Sequence, residues 1–363
     1  MIHRHLLGGC VAILLCLLPF ASFGQRPTTE EILIYTNRWG DLNFHAEDLL
    51  ALLRCDLARW KSRPGTPQPL SFGGFSMTYD SQRGRVVLFN GTDAEGTVVV
   101  SETWEWDGEK WTLEDTDGLS RRLGAAIAYD SVRHLTTLFG GQQANAMQQP
   151  GATQADTWTW NGAAWTQLSP STSPSARVGH AMVFDSSRGV AVLFGGDDSD
   201  FLVLTAPRLG DTWEWNGTNW TQRAPAVSPP PRFRFAMAFD SVRNRTVLFG
   251  GQGENVLLGD TWEWDGTNWQ QKTPMQSPSA RRGHGMTYDS ARERVVLFGG
   301  EVGVGFSDET WEWDGTDWTP IPATSAPTSD TWAMAYDSTH SEAVLFTGES
   351  THVYDGLPGC SGR

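Results

Sequence analysis

The chain has 363 residues, with 27 Lys and Arg against 42 Asp and Glu, and its formal net charge is −15. A surface this acidic repels phosphate backbones, which excludes nucleic acid as an expected partner. The chain also contains 18 Trp but only 6 Tyr. That imbalance indicates repetition of a Trp-rich unit.

Residues 1–24 have the pattern of a secretory signal peptide. A basic start containing Arg4 precedes an apolar run from Cys10 to Phe20, and small residues follow up to Gly24. The run is too short to span a bilayer as a helix, and no second stretch of that kind follows. A lipoprotein would need a Cys after the apolar run with small residues before it, and neither Cys10 nor Cys16 fits. We expect a secreted, periplasmic or cell-surface protein without a transmembrane anchor.

Residues 25–54 do not repeat. Ile32 to Tyr35 is strand-like, and the Leu-rich stretch from Glu47 to Leu53 has helical character. We predict a short N-terminal extension, a strand followed by a helix, that packs on the rim of the main domain; a remnant of an α/β domain is the alternative. The main domain is expected to span residues 55–360, with a tail at 361–363.

One phrase then recurs six times, consisting of apolar residues, an aromatic residue and Asp-Ser. Its aspartates lie 50, 55, 55, 49 and 48 residues apart, at Asp80, Asp130, Asp185, Asp240, Asp289 and Asp337. An apolar run follows each, ending in Gly-Gly in four copies. A Trp-x-Trp phrase then leads through an Asp-Gly or Asn-Gly turn to a third Trp. Five complete copies of this phrase supply 15 of the 18 Trp.

Each unit predicts four short strands, a to d. Strand a ends at the Asp-Ser turn, where the Asp side chain can accept from the backbone two residues on. Strand b is continuously apolar, as expected when both faces are covered. Strand c alternates, with its two Trp on one face, and the Asp/Asn-Gly turn closes a hairpin with strand d. Such a sheet buries both faces only by packing between copies of itself in a ring.

The period near 50 residues, the Gly-Gly after strand b and the Trp on strands c and d resemble the kelch repeat. The kelch lead-in to strand a, Arg-x-x-His, is complete in two copies and present as Arg alone in two more. These residues are Arg177 with His180, Arg281 with His284, Arg122 and Arg232. The resemblance covers residues 56–356 and implies an all-β, six-bladed kelch-type β-propeller of galactose-oxidase-like architecture.

The sixth unit has strands a, b and c but no strand d. Trp60 precedes Asp80 by 20 residues, and the third Trp of three other units precedes the next aspartate by the same distance. Residues from Leu57 to Lys61 are therefore predicted to be a displaced strand d that completes the last blade and closes the ring. This pairing brings together Cys55 and Cys360, the only cysteines after the signal peptide. In an oxidising compartment we expect them to form a disulfide, with two unrelated free thiols as the alternative.

The b–c connections vary between units and lie on the same face as the d–a connections. Variable loops on a rigid scaffold are where binding usually occurs, so we predict a site on this face near the mouth of the central channel. The candidate ligand-binding residues there are Asp93, Asp197, Asp198, Asp200, Glu301 and Trp332.

The acids among these candidates suit a hydroxyl-rich ligand or calcium. The stretch from Asp197 to Asp200 lacks the spacing of an EF-hand loop, and a solvated acidic loop is the alternative. Trp332 replaces the lead-in His and is the candidate platform for stacking on a ligand.

The acid before each strand c faces the same side as the lead-in Arg of its unit. Because these positions recur in the repeat, we predict structural Arg–carboxylate pairs or strand caps, with Arg122, Arg177, Arg232, Arg281, Asp211 and Asp260 among them. His180 and His284 also recur, which favours a structural role over metal ligation.

No metal or nucleophile motif stands in a supporting context, and no catalytic residue, metal or cofactor is predicted. Some kelch propellers are enzymes, but a galactose-oxidase-like copper site needs a Cys cross-linked to a Tyr, which this chain does not offer. The sequence favours a monomeric, non-enzymatic propeller that binds a glycan or a protein through its variable face. The alternative is an extracellular carbohydrate-active enzyme, mutarotase- or oxidase-like, with its site at the channel mouth.

Overall fold

The computed structural model describes residues 58–63, 67–69, 73–89, 91, 100–116, 118–144, 150–198, 208–324, 326–327 and 332–356. The chain divides into two units, Met1–Leu57 with Pro358–Arg363 and Ala58–Leu357. The described residues belong to the second unit and contain strands and turns but no helix. The expected signal peptide, the N-terminal extension, Cys55 and Cys360 lie outside them. No helix in the described part is long and apolar enough to cross a membrane.

The strands confirm the all-β prediction: β1 (Ala58–Arg63) is followed by the strands of six blades, of which the first five each form an antiparallel sheet with strands a to d in order. Blade 1 has β2 (Ser76–Asp80), β3 (Arg85–Phe89), β4 (Thr103–Trp106) and β5 (Trp111–Asp115). Blade 2 follows β6 (Arg122–Leu123) and has β7 (Ala126–Asp130), β8 (Leu135–Phe139), β11 (Thr157–Trp160) and β12 (Trp165–Leu168). Two short strands, β9 (Gln142–Ala144) and β10 (Pro150–Thr153), lie between its strands b and c.

The remaining blades continue in chain order. Blade 3 has β13 (Ala181–Asp185), β14 (Val190–Asp197), β15 (Arg208–Trp215) and β16 (Trp220–Arg223). Blade 4 has β17 (Ala236–Asp240), β18 (Arg245–Gln252), β19 (Leu257–Trp264) and β20 (Trp269–Lys272). Blade 5 has β21 (Gly285–Asp289), β22 (Arg294–Phe298), β23 (Thr310–Trp313) and β24 (Trp318–Ile321). Blade 6 follows β25 (Ala323–Thr324) and has β26 (Ala333–Asp337), β27 (Glu342–Phe346) and β28 (Thr351–Tyr354) as strands a, b and c.

The N-terminal β1 is strand d of blade 6, as the distance from Trp60 to Asp80 predicted. It pairs antiparallel with β28, and Trp60 lies opposite Tyr354. Its other edge pairs in parallel with β25, so that this outer strand is covered on both sides. The strand extends to Arg63, two residues beyond the predicted end.

Tryptophan side chains fill the spaces between neighbouring blades. In blade 3, Trp213, Trp215 and Trp220 pack together with Ala128 and Phe139 of blade 2, and each of the three indoles is at least 92% buried. Alternation along strand c puts Glu214 on the opposite face, where it accepts a hydrogen bond from Trp264 of blade 4. The two faces of one strand therefore bind two different neighbours.

A hydrogen bond repeated at every junction links each blade to the one before it. A Trp in strand d donates through its indole Nε1 to the Oγ1 of a Thr in strand c of the preceding blade, over 2.7–3.0 Å. The six pairs are Trp60–Thr310, Trp111–Thr351, Trp165–Thr103, Trp220–Thr157, Trp269–Thr212 and Trp318–Thr261. Buried indole N–H groups need a partner, and this bond supplies one at all six junctions.

The six inner strands surround a central cavity of about 340 Å³. Each strand a contacts the strand a of the next blade, and that of blade 6 contacts that of blade 1. The described lining residues are apolar or bear hydroxyl groups, as in Met182, Thr287 and Tyr129. None of those lining residues carries a carboxylate or an imidazole.

Candidate functional site

The b–c connections of blades 3 and 4 are partly β-hairpins rather than the expected loops. Strands b and c continue past the Gly-Gly, so that Asp197 pairs with Arg208 and Gln252 with Leu257. The ladder crosses a bulge at Gly195 and Gly196, whose φ values of 63° and 103° belong to the left-handed region that glycine tolerates. The bulge therefore lets these arms project from the face at which the strands a begin.

Backbone hydrogen bonds between lead-in segments run around the mouth of the cavity on this face. In each bond, the N–H of one blade donates to the carbonyl of the blade before it, over 2.7–3.1 Å. The donor–acceptor pairs are Gly124–Gly74, Gly179–Gly124, Arg234–Gly179 and Gly283–Arg234. Blade 4 thus has an arginine at a position where the neighbouring blades have glycine.

Arg234 is part of a group of charged side chains that we call the arginine cluster, made of Arg208, Arg234 and Arg282 with Asp197 and Glu301. Arg282 holds Glu301 with two hydrogen bonds, from Nε to Oε2 over 2.8 Å and from Nη2 to Oε1 over 2.6 Å. Arg208 pairs with Asp197 inside the cluster. Two of the guanidinium groups therefore each hold a carboxylate, and the charges of Arg208, Arg282 and Glu301 act on the third, Arg234.

Phe233 lies under two of these arginines. The Arg208 Cζ is 3.9 Å from its ring centroid, and the Arg234 Cζ is 5.5 Å away. Aromatic faces attract cations at such distances. Burial, together with the charges of Arg282 and Arg208, lowers the pKa of Arg234 to about 10. The group therefore stays charged at neutral pH, although its surroundings oppose the charge.

The lead-in arginines lie elsewhere and bind carboxylates within their own blades. Each is fully buried and donates both to the acid before strand c and to the first carbonyl of the Gly-Gly. The pairs are Arg122–Asp156, Arg177–Asp211, Arg232–Asp260 and Arg281–Glu309. Burial alone would raise the pKa of Asp211, but the bonds from Arg177 and Trp213 hold it below its usual value. Asp260 is held low in the same way by Arg232 and Trp262.

His180 and His284 are buried between blades rather than at the mouth. His180 packs edge-on against Phe139, with ring centroids 5.7 Å apart, and His284 meets Phe249 at 5.5 Å. Burial, aided by the neighbouring arginine, lowers the pKa of each imidazole to about 3. Both rings are therefore neutral at physiological pH and fill space as an aromatic residue would.

Two of the proposed ligand residues, Asp197 and Glu301, lie in the arginine cluster, where arginines hold their carboxylates. Asp197 was expected on a solvated loop, but it is 1% exposed and paired with Arg208, because the hairpin arm carries it inward. Asp198, the next residue, is exposed, and Glu301 is partly buried in the arginine cluster. Asp93 and Asp200 lie outside the described residues.

Trp332 corrects the expectation of an exposed platform for stacking. It is 8% exposed and packs between Phe298 and Phe306, with centroid distances of 5.9 and 6.1 Å. Gly299 of the preceding blade lies directly beneath the indole, where a Cβ atom would clash. Its ring faces are thus occupied by the junction between blades 5 and 6.

Asp197→Ala is expected to lower the free energy of unfolding by about 3 kcal/mol, because it removes the carboxylate that accompanies the buried guanidinium of Arg208. Asp198→Ala, one residue along and exposed, should change it by less than about 0.5 kcal/mol. Urea denaturation of the two variants measures both values. Equal losses of unfolding free energy in the two variants would contradict the finding that Asp197 is buried and Asp198 is exposed.

Sequence reasoning missed the three arginines of the cluster. Arg208 is marked by nothing in the repeat, and only folding of the hairpin arm brings it to Asp197. Arg282 follows the lead-in arginine of blade 5 and meets Glu301 because the lead-in segment pairs with the residue after the Gly-Gly. Arg234 did carry a signal. It replaces the Gly that follows Arg-x in three other lead-ins, at Gly124, Gly179 and Gly283.

The six Trp-rich blades and the lead-in arginines define a kelch-type propeller, one face of which bears the hairpins and the arginine cluster. Residues 125–348 match the KLHDC2/KLHL20/DRC7 kelch-repeats domain. The chain therefore belongs to this kelch-repeat family, whose architecture is consistent with a binding or interaction role.

Two known proteins are similar to the chain over part or most of its length. It is 26% identical over 197 residues to Mei4-dependent protein 6 of Schizosaccharomyces pombe, a match that covers 49% of this chain and 28% of that relative. The solved structure of YjhT superposes with a TM-score of 0.59 at 15% identity, covering 80% of this chain and 95% of the other. At that identity the likeness shows the fold alone.

Proposed function

We propose that the chain is an exported binding propeller that engages a protein partner through the hairpins of blades 4 and 5. The supporting observation is a set of exposed apolar side chains at these hairpins, next to the arginine cluster. Val256 is 54% exposed, Val304 is 94% exposed and Phe306 is 53% exposed. Single exposed apolar residues are common, but a group beside a charged site is typical of an interaction surface.

Both hairpins begin at a residue that Arg282 contacts. Gln252 begins one hairpin and accepts from Arg282, and the chain turns at Gly253, whose N–H donates to the Val256 carbonyl over 2.9 Å. Glu301 begins the other and bridges to Phe306 across a turn around Val304. Each hairpin therefore has a polar base and an apolar tip.

This chemistry favours a protein partner over a glycan. Arginine and aromatic residues are enriched in the centres of protein interfaces, where an apolar contact surrounds a few oriented polar groups. The described residues that line the central cavity offer hydroxyl groups but no carboxylate or imidazole for acid–base work on a sugar. Export is supported by the signal-peptide pattern of residues 1–24.

Photo-crosslinking tests the proposal. Val304→p-benzoylphenylalanine, irradiated in the exported fraction of the native cells, should yield a discrete adduct that excess unmodified protein suppresses. Val242→p-benzoylphenylalanine is the matched control, because Val242 is 54% exposed but lies in the a–b turn of blade 4, on the opposite face. Adducts of equal yield at both positions, or none at Val304, would contradict the proposed surface.

A further inference from the structure

Arg282 stands at a position of the repeat where three other blades have an apolar side chain. It directly follows the lead-in arginine of blade 5, and the matching residues of blades 2, 3 and 4 are Leu123, Val178 and Phe233. In all four blades the backbone at this position pairs with the residue after the Gly-Gly, whichever side chain is present. The fold of the repeat therefore does not require an arginine here.

The three guanidinium nitrogens of Arg282 all bind residues at the bases of two hairpins. Its Nε and Nη2 donate to the two carboxylate oxygens of Glu301, in its own blade, over 2.8 and 2.6 Å. Its Nη1 donates to the Oε1 of Gln252, where the hairpin of blade 4 begins. A planar guanidinium that holds a carboxylate through two parallel bonds has a fixed orientation. The third bond therefore fixes the base of one hairpin relative to the base of the other.

This link between the hairpins is sheltered and lies among other charges. The side chain of Arg282 is 13% exposed and that of Glu301 is 35% exposed. Burial, together with the charge of Arg282, lowers the pKa of both Arg208 and Arg234, while the carboxylate of Glu301 acts on Arg234 in the opposite direction. The bonds to Glu301 and Gln252 therefore form beside two like charges, and Glu301 offsets part of the repulsion.

We infer that Arg282 is the positioning residue of the proposed surface: it holds the hairpins of blades 4 and 5 at a fixed separation, so that one protein partner contacts both tips. Val256 lies at one tip and Val304 at the other, and they are 54% and 94% exposed. Two tips that are already held in place bind a partner without the loss of freedom that two independent loops would incur. This inference rests on the proposed function, since it assigns a geometry to the same surface.

Distance measurements between two spin labels on the folded chain test the fixed separation. Val256→p-acetylphenylalanine and Val304→p-acetylphenylalanine together carry the nitroxides, so that no cysteine is labelled. With Arg282 present, the distribution of label-to-label distances should be narrow. Arg282→Val, which introduces the side chain of blade 3, should widen it roughly twofold, because hairpins that are not held move independently. The melting temperature should change by less than about 3 °C, since the backbone pairing does not depend on this side chain.

Two further variants separate the link from a change in charge. Arg294→Val removes the same charge from blade 5 at the start of β22, beside the a–b turn on the opposite face, where blade 3 has Val190. It should leave the distance distribution unchanged. Gln252→Ala removes the acceptor in blade 4 and should widen the distribution as Arg282→Val does, and the two changes combined should widen it no further.

Photo-crosslinking measures the consequence for the partner. Val256→p-benzoylphenylalanine and Val304→p-benzoylphenylalanine, irradiated separately in the exported fraction, should capture the same protein. Adding Arg282→Val should lower both yields about threefold or more, because the tips must then be ordered on binding. Adding Arg294→Val should leave both yields unchanged.

An unchanged distance distribution or unchanged adduct yields in Arg282→Val, equal effects in Arg294→Val, or different proteins captured at the two tips would each overturn the inference. An Arg282→Val chain that fails to fold would make Arg282 a structural residue and overturn it as well. The proposed function fails separately, through the absence of any adduct at Val304 when Arg282 is present, because the distance measurement requires no partner.

Discussion

Acidification from pH 7 to pH 5 is expected to lower the free energy of unfolding by about 2 kcal/mol for each of His180 and His284. Burial lowers the pKa of both imidazoles from 6.5 to about 3 in the folded protein. Below pH 6.5 the unfolded chain therefore binds protons that the folded chain does not. Stability is full above pH 6.5 and is lost as the pH falls towards 3.

Blade 4 supplies the matched variant for this measurement. Phe235 occupies the equivalent position and meets Phe194 at 5.7 Å and 74°, against 5.7 Å and 75° for His180 and Phe139. The double variant His180→Phe with His284→Phe should fit the same space and lose most of the pH dependence between 7 and 5. The reverse change, Phe235→His, should add about 2 kcal/mol of acid sensitivity.

Urea denaturation at pH 7, 6 and 5 measures how the free energy of unfolding of each protein depends on pH. The pKa of His352 is also lowered by burial, and this residue remains in every variant as a common background. Burial alone would raise the pKa of Asp211 and of Asp260, but the bonds from their lead-in arginines hold both pKa values below the ordinary value, so these two carboxylates stay ionised in this range. A double phenylalanine variant with the slope of the wild type would refute the assignment to the two histidines.

Trp215→Ala is expected to lower the free energy of unfolding by about 3–5 kcal/mol. The side chain is 1% exposed and packs against Trp220 with ring centroids 5.3 Å apart, in the space between blades 2 and 3. Its removal leaves a cavity that the rigid strands on either side cannot close. Met275→Ala, at a 93% exposed position, should change the value by less than about 0.5 kcal/mol.

Chemical denaturation of both variants at neutral pH decides this prediction. A loss below 1 kcal/mol for Trp215→Ala would mean that the Trp-rich phrase does not form the inter-blade core. Comparable losses in both variants would mean that the measurement reports something other than burial.

Recurring features of the chain were predictable because each depends on spacing alone. The displaced strand at Trp60 followed from its distance to Asp80, which matches the distance in complete units. The strand directions put the acid before strand c and the lead-in arginine of the same blade on one side, and this predicted that the two would pair. Such inferences need only the period of the repeat and the antiparallel order of strands.

Features that depart from the repeat could not be predicted from its spacing. The stretch after Gly196 has the composition of a solvated loop, and the burial of Asp197 depends on Arg208 returning along the second arm of a hairpin. The burial of Trp332 depends on a bare glycine in the neighbouring blade, at Gly299. Both are contacts between parts of the chain whose meeting no local pattern specifies.

The composite sixth blade makes completion of the ring depend on the whole length of the chain. Trp60 donates to Thr310 across 250 residues of sequence, so that β1, the first strand of the described residues to be synthesised, is among the last to be paired. Until then, β1 offers an unpaired edge and an unburied indole that other chains could capture. A chain truncated before β28 would keep that edge exposed for its lifetime, and proteases and chaperones could recognise it as unfinished. The same junction that closes the ring thus also distinguishes complete chains from fragments.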